Sequence, residues 1–323
     1  VTTSVVVAEM LRGGVVESRH HGSAVVTAPD GTVEWSTGPV ARPMFPRSAN
    51  KPMQALGMLR SGLRLDGELL ALAAGSHSGE SIHVEGVRRI LGDAGLDETA
   101  LRNPRAYPFD PRARKAWMRA GLRKKAVTMG CSGKHAAMLA TCVTNDWPIQ
   151  GYLAPDHPLQ LAIRAAVQDF AHEQVAAVTV DGCGAPLLAV SLTGLARAFG
   201  RFASAPPGTD EGRIARAFRE HPHYVSGTRR TSAKLIRSTP GLFCKTGAEG
   251  VVAAGLPDGR GIAVKIDDGN SRAHLVVLAA VLQRLGVDND VIRARSERPV
   301  YGGRTLVGVL RPAADLIDTL PVP

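Results

Sequence analysis

Segments with strand-like patterning stand at both ends of this 323-residue chain, and helical patterning fills the middle. No other feature constrains the fold as strongly. Near the start, residues 5–11 (VVVAEML), 23–28 (SAVVTA) and 32–37 (TVEWST) read as strands. The last two are joined through Asp30-Gly31, a hairpin signal when alternation flanks it. Near the end, residues 241–247 (GLFCKTG), 250–256 (GVVAAGL) and 261–266 (GIAVKI) read the same way, with a turn at Pro257-Asp258-Gly259. Between them, Leu, Met and Ala recur at three- and four-residue spacing and predict helix from 51 to about 95. Further helices are expected over 132–143, 155–173 and 270–285. Terminal strands around central helices predict an α+β fold whose first and last strands share one mixed or antiparallel sheet. The length suits one domain over 1–323, or two intimate lobes with the helical part at roughly 51–235. The stretch 204–212 reads as an exposed loop and not as a linker.

Composition is that of an ordinary globular chain, 44% hydrophobic and 21% charged. Aromatics make up only 4%, so Ala, Val and Leu must build the core. No apolar run approaches the roughly 20 residues that span a bilayer. The opening VTTSVVVAEMLRGG lacks the basic and small-residue pattern of a signal peptide. A cytoplasmic protein with no membrane partner is expected. The net charge of +10 is densest over 112–125 (RARKAWMRAGLRKK). No helix-turn-helix, zinc-finger, RRM-like or KH-like pattern accompanies it, so it reads as a solvated helix face with no nucleic-acid partner. The four cysteines, at 131, 142, 183 and 244, form no C-x-x-C pair and no disulfide framework.

The chemistry-bearing signal begins at Ser48-Ala49-Asn50-Lys51, an S-x-x-K directly before an apolar-periodic helix. Residues i and i+3 at a helix start share a face, so Lys51 could reach the Ser48 hydroxyl. A serine needs a positioned base to become a nucleophile, and lysine serves if its surroundings keep the amine neutral. Pro52 fits the first turn, where a missing N–H costs little. Alone the motif is weak. Lys245-Thr246-Gly247 on a predicted strand far downstream completes the S-x-x-K…K-T-G pattern of serine penicillin-recognising enzymes.

Further segments follow in order: Glu17-Ser18-Arg19-His20, Arg47 to Leu56 (RSANKPMQAL), Ala74 to Glu80 (AGSHSGE), Cys131 to Ala136 (CSGKHA), Asp181 to Pro186 (DGCGAP), Lys245 to Gly250 (KTGAEG) and Lys265 to Gly269 (KIDDG). Together they resemble the type II, Rhizobium etli-like L-asparaginase family, whose fold is similar to serine β-lactamases and glutaminases. The resemblance implies two Ser–Lys pairs, Ser48 with Lys51 and Ser76 with Lys245. Spacing favours Ser76 over Ser78 as the second serine, and a two-residue slip would exchange them. It also implies zinc at Cys131, Lys134 and Cys183, with a positioning or structural role, since a serine nucleophile makes zinc-hydroxide attack unnecessary. Asp181 is a candidate for the substrate's α-ammonium and Arg47 for its α-carboxylate. His135, Ser78 and Glu80 complete the expected substrate-binding set. A homodimer is implied. An Asn is expected before C-S-G-K-H, where this chain has Gly130.

The activity so implied is hydrolysis of L-asparagine to L-aspartate and ammonia. Backbone N–H groups near Ser48, Thr246 and Gly247 are the expected oxyanion donors. Glutaminase and β-lactamase-like amidohydrolase are the neighbouring readings, and a catalytically dead basic binding module is the remote one. Gly130-Cys131-Ser132-Gly133-Lys134-His135 is not a phosphate loop, because Thr128 stands where its first glycine belongs and His135 where Ser or Thr belongs. The threonine-dependent asparaginase patterns are not found.

Overall fold

The computed structural model describes residues 4–319. Its strands are β1 (Val5–Arg12), β2 (Val15–Thr27), β3 (Val33–Thr37), β4 (Pro43–Met44), β5 (Ala177–Val180), β6 (Pro186–Ser191), β7 (Phe243–Thr246), β8 (Val251–Gly255), β9 (Gly261–Ile266), β10 (Arg298–Gly302) and β11 (Thr305–Pro312). The chain divides into two compact units. The first draws on the described residues up to Ala49, on Val190–Ser204 and on those from Ser238 onward; the second holds Asn50–Ala189 and Ala205–Arg237.

The first unit is built on an antiparallel sheet in the order β10-β11-β1-β2-β9-β8-β7, with β3 added on β2. N- and C-terminal strands therefore interleave as expected: Glu9 lies opposite Arg311, and Val25 opposite Ala263. The burial of β2 follows its sequence. Its first half alternates, with Glu17, Arg19 and His21 exposed, and residues 22–27 are buried throughout. A continuous small-apolar run such as SAVVT or VVAAG is what a strand covered on both faces requires. Helices Leu192–Ser204 and His274–Arg284 supply the cover, both packing on β8 and β9.

The second unit is mainly helical. Helix Lys51–Arg60 packs on Pro158–Ala171, Ser81–Asp93 on Ser132–Thr144, and Gly67–Ala73 on Asp210–Glu220. The single helix expected over 51–95 is three helices, because Gly62 turns the chain at φ +87° and the Asp66 carboxylate accepts the Gly67 N–H to start the next helix. Of the 204–212 stretch, only 205–209 is loop, between helices Leu192–Ser204 and Asp210–Glu220. Helix Pro111–Arg119, at the centre of the basic run, has no buried residue, as a solvated face requires. No described helix is long and apolar enough to cross a membrane. The α+β class read from the sequence is the class observed.

Candidate active site

In the second unit the site grows from the first residue of helix Lys51–Arg60. Lys51 is 1% exposed. A buried amine needs hydrogen-bond partners, and Lys51 Nζ has them in Gly75 O at 2.7 Å, Ser76 Oγ at 3.0 Å and Cys131 Sγ at 3.3 Å. Ser76 is half-buried in the bend after helix Gly67–Ala73, its own N–H donating to Val225 O. The structure thus pairs Lys51 with Ser76. Ser78 is placed differently: it is buried, and its hydroxyl donates to Ser226 O at 2.7 Å. Glu80 begins helix Ser81–Asp93 in a reciprocal cap with His83, and its carboxylate accepts from the Thr228 N–H and hydroxyl. Ser78 and Glu80 therefore serve the local fold, whereas Ser76 faces the lysine.

The same lysine leads to the cysteines. Cys131 and Lys134 open helix Ser132–Thr144, and Cys183 sits in the turn between β5 and β6, where the Gly184 N–H bonds to Asp181 O. Lys134 Nζ donates to Cys183 Sγ at 3.2 Å. Cys183 hydrogen-bonds to Cys131, which together with the adjacent Lys51 and Lys134 side chains holds the Cys131 thiol well below its ordinary pKa against the opposing effect of burial. A helix N-terminus acts in the same direction. Cys183, the donor of that bond and itself buried, is pushed up. Burial would lower the Lys134 amine, yet the two sulfurs and Asp181 hold it above its ordinary value.

These donors fit the zinc implied by the sequence resemblance. In a tetrahedral site the S···N edge is about 3.6 Å, close to the 3.2 Å between Lys134 and Cys183. The Cys131, Lys134 and Cys183 side chains, the candidate ligands, are all at least nine-tenths buried. Among the described residues no three His, Cys, Asp or Glu side chains gather into a metal cluster; here the third donor would be an amine. Asp181 Oδ2 lies 3.7 Å from Cys183 Sγ. His135 is fully buried, with Nδ1 hydrogen-bonded to Tyr152 Oη at 2.8 Å, and its Nε2 has no hydrogen-bond partner among the described residues. Tyr152 is absent from the residues expected of the site, since nothing in its loop sequence marks it. Gly130 has a steric reason: a Cβ there would lie 2.7 Å from His77 O, so the expected Asn does not fit without a shift.

The first unit carries Ser48, half-buried in the 3₁₀ turn Arg47–Asn50 that runs directly into the Lys51 helix. The end of β7 is pressed onto this turn, because a Cβ on Gly247 would come within 2.5 Å of Pro46 O and 3.3 Å of Ala49 N. Lys245 on β7 is 1% exposed and donates to Thr246 O at 2.8 Å. One expectation needs correcting. The Gly247 N–H donates to Val251 O at 2.8 Å in the β7–β8 connection, so it is not a free oxyanion donor. Arg47 Nη1 lies 3.4 Å from Glu249 Oε1.

The L-asparaginase II family model matches residues 8–312. The chain belongs to that family. It is accordingly an amidohydrolase of the asparaginase type. No curated protein matches it. Similar solved structures include a β-lactamase from Mycobacterium bovis, at 14% identity and TM-score 0.44, covering 81% of this chain and 94% of that one. Another is a Bacillus subtilis glutaminase in covalent complex with 5-oxo-L-norleucine, at 14% identity and TM-score 0.38, covering 83% and 88%.

Proposed function

We propose that this L-asparaginase II family member hydrolyses the side-chain amide of L-asparagine through an acyl-enzyme on Ser48. The observation that carries the reading is Lys51: a fully buried amine three residues after Ser48, bonded to a second serine and to a thiol. Ser48 Oγ attacks the amide carbon while its proton passes to neutral Lys51 Nζ. The C–N bond breaks as that proton moves to the leaving nitrogen, releasing ammonia. Water then adds to the ester, and aspartate leaves with Ser48 restored. Ser76 relays protons to and from Lys51, and Lys245 is the second lysine of the scheme. Arg47 receives the α-carboxylate and Asp181 the α-ammonium, with His135 beside it.

Zinc held by Cys131, Lys134 and Cys183 would supply a fixed positive charge that positions the substrate. Lys134 must give up its proton to serve as a ligand. The reading takes residues 1–323 as one catalytic domain, acting as a homodimer in the cytoplasm.

Ammonia release from L-asparagine and L-glutamine by wild type, Ser48→Ala and a chelator-treated sample tests the proposal. Activity on asparagine that falls at least about 10³-fold in Ser48→Ala is expected. Glutamine differs by one methylene, worth about 1–3 kcal/mol in a pocket, so measurable turnover of both is compatible with the scheme. A wild type inactive on both amides overturns it.

A further inference from the structure

His135 is fully buried, yet its Nε2 has no hydrogen-bond partner among the described residues. A buried polar atom left in this way is rare and calls for an explanation. The place of the ring supplies one. Cys131, Lys134 and His135 stand at i, i+3 and i+4 at the start of helix Ser132–Thr144, a spacing that puts all three on one face. Lys134 and Lys51 both lie near enough to act with burial in lowering the imidazole pKa, so the ring is neutral and belongs with the lysine–cysteine cluster. A neutral imidazole has one N–H donor and one bare acceptor nitrogen. Which of the two Nε2 is decides what it can receive.

Tyr152 makes that choice. Its ring stands edge-on to His135, with centroids 5.8 Å apart, and its backbone O accepts from Gln160 Nε2 at 2.8 Å, which anchors the loop. Tyr152 is fully buried, and its hydroxyl meets two groups: it accepts from the Arg102 N–H at 3.3 Å and lies 2.8 Å from His135 Nδ1. The hydroxyl has a single proton, and among the described residues Nδ1 is its acceptor. With Tyr152 donating to Nδ1, the imidazole hydrogen sits on Nε2 and is the one group left unpaired. In the opposite tautomer Nδ1–H donates to Tyr152, and both the phenolic proton and the bare Nε2 are buried without partners. One orphan against two decides for Nε2–H. A nitrogen that carries a proton ligates no metal, so Nε2 stands apart from Cys131, Lys134 and Cys183. It can only donate.

We infer that Tyr152 is a positioning residue for substrate recognition: it holds His135 in the Nε2–H form, which donates to an oxygen of the amino-acid amide. The inference rests on the proposed reaction at Ser48. It gives His135 a carboxylate or amide oxygen as its partner and excludes the α-ammonium, itself a donor. It also brings into the site a residue outside both Ser–Lys pairs and outside the cysteine cluster.

Nitrogen NMR of protein carrying isotope-labelled histidine reads the tautomer directly, with the His135 signals identified by their loss in His135→Gln. Wild type should show Nε2 protonated and Nδ1 bare, and Tyr152→Phe should mix the two forms. Steady-state kinetics read the consequence. Tyr152→Phe should lower kcat/KM on L-asparagine about tenfold, the worth of one good hydrogen bond. His135→Gln keeps an N–H near the Nε2 position and has no tautomer to choose, so it should stay within about threefold of wild type. Adding Tyr152→Phe to His135→Gln should then cost less than about twofold. His135→Leu has no donor and should lose at least as much as Tyr152→Phe. A loss carried by KM marks a carboxylate oxygen, and a loss carried by kcat marks the amide oxygen that gains charge during the reaction. His135 protonated on Nδ1 in wild type overturns the inference, as does a Tyr152→Phe loss that persists in full in His135→Gln. Either result leaves the Ser48 reaction standing if wild type is active. A wild type that releases no ammonia from asparagine overturns the reaction and the substrate role of His135 together.

Discussion

Tyr152 and Asp110 show how single residues divide between site and scaffold. The Tyr152 hydroxyl is the hydrogen-bond partner of His135 Nδ1, and it accepts from the Arg102 N–H at 3.3 Å. Tyr152→Phe leaves that imidazole buried without a partner on either nitrogen, which costs about 1–3 kcal/mol; urea unfolding should show the loss. Asp110 lies in the second unit, away from the Lys51 cluster in sequence, and caps helix Pro111–Arg119 while pairing with Arg229. Burial would raise its pKa, but the Ala113 N–H and the Arg229 guanidinium hold it below the ordinary value. A depressed carboxylate stabilises the fold fully above its unfolded pKa of about 3.9, and the contribution is lost as pH falls through the lower native value. Asp110→Asn keeps a capping oxygen but removes the charge that pairs with Arg229, and should therefore lower stability by about 0.5–1 kcal/mol at pH 7. The gap from wild type should close as unfolding is measured at progressively lower pH, below about 4.

Elements were legible where one period dominated. Strands β1, β3, β7, β8 and β9 lie where alternation or short apolar runs place them, and the helix from Ser132 ends within a residue of its expected end. The helix expected from 155 starts at Pro158, since His157 caps it by accepting the Leu159 N–H. The β10–β11 hairpin was missed, although Gly302-Gly303 between alternating residues is a turn signal. Its largely exposed strands bury too little to show an apolar face. The candidate site divides along the same line. Arg47, Ser48, Lys51, Ser76 and the cysteines are marked by short motifs, whereas Tyr152 stands in a loop that no motif encodes. One cap offers a test at this scale. Asn289 accepts from both the Val291 and Ile292 N–H groups at the start of helix Asp290–Ser296, and its amide also donates to Ser238 O and Thr239 Oγ1. Asn289→Ala should cost about 1–2 kcal/mol, read as a lowered denaturation midpoint with ammonia-release kinetics unchanged below the transition.

At the scale of the whole molecule, charge is concentrated. Residues 102–125 contain nine Arg or Lys and one acid, Asp110, in a chain whose net charge is +10. Changing Arg112, Arg114, Lys115, Arg123 and Lys124 to Gln should bring elution from a cation exchanger to markedly lower salt. The melting temperature should hold within about 2 °C, because all five are exposed. A second whole-chain feature acts before the protein is complete. β1 is the first of the described strands to be made, and one of its neighbours, β11, is among the last described residues. On the ribosome β1 and β2 must wait for β9 and then β11, whereas the second unit has all its residues once Arg237 has emerged. Pairing over so long a separation is slow, and nascent chains fold unit by unit. The discontinuous middle should therefore become protease-resistant on stalled ribosomes while the sheet that brackets it is still an open edge, the form most exposed to chaperones.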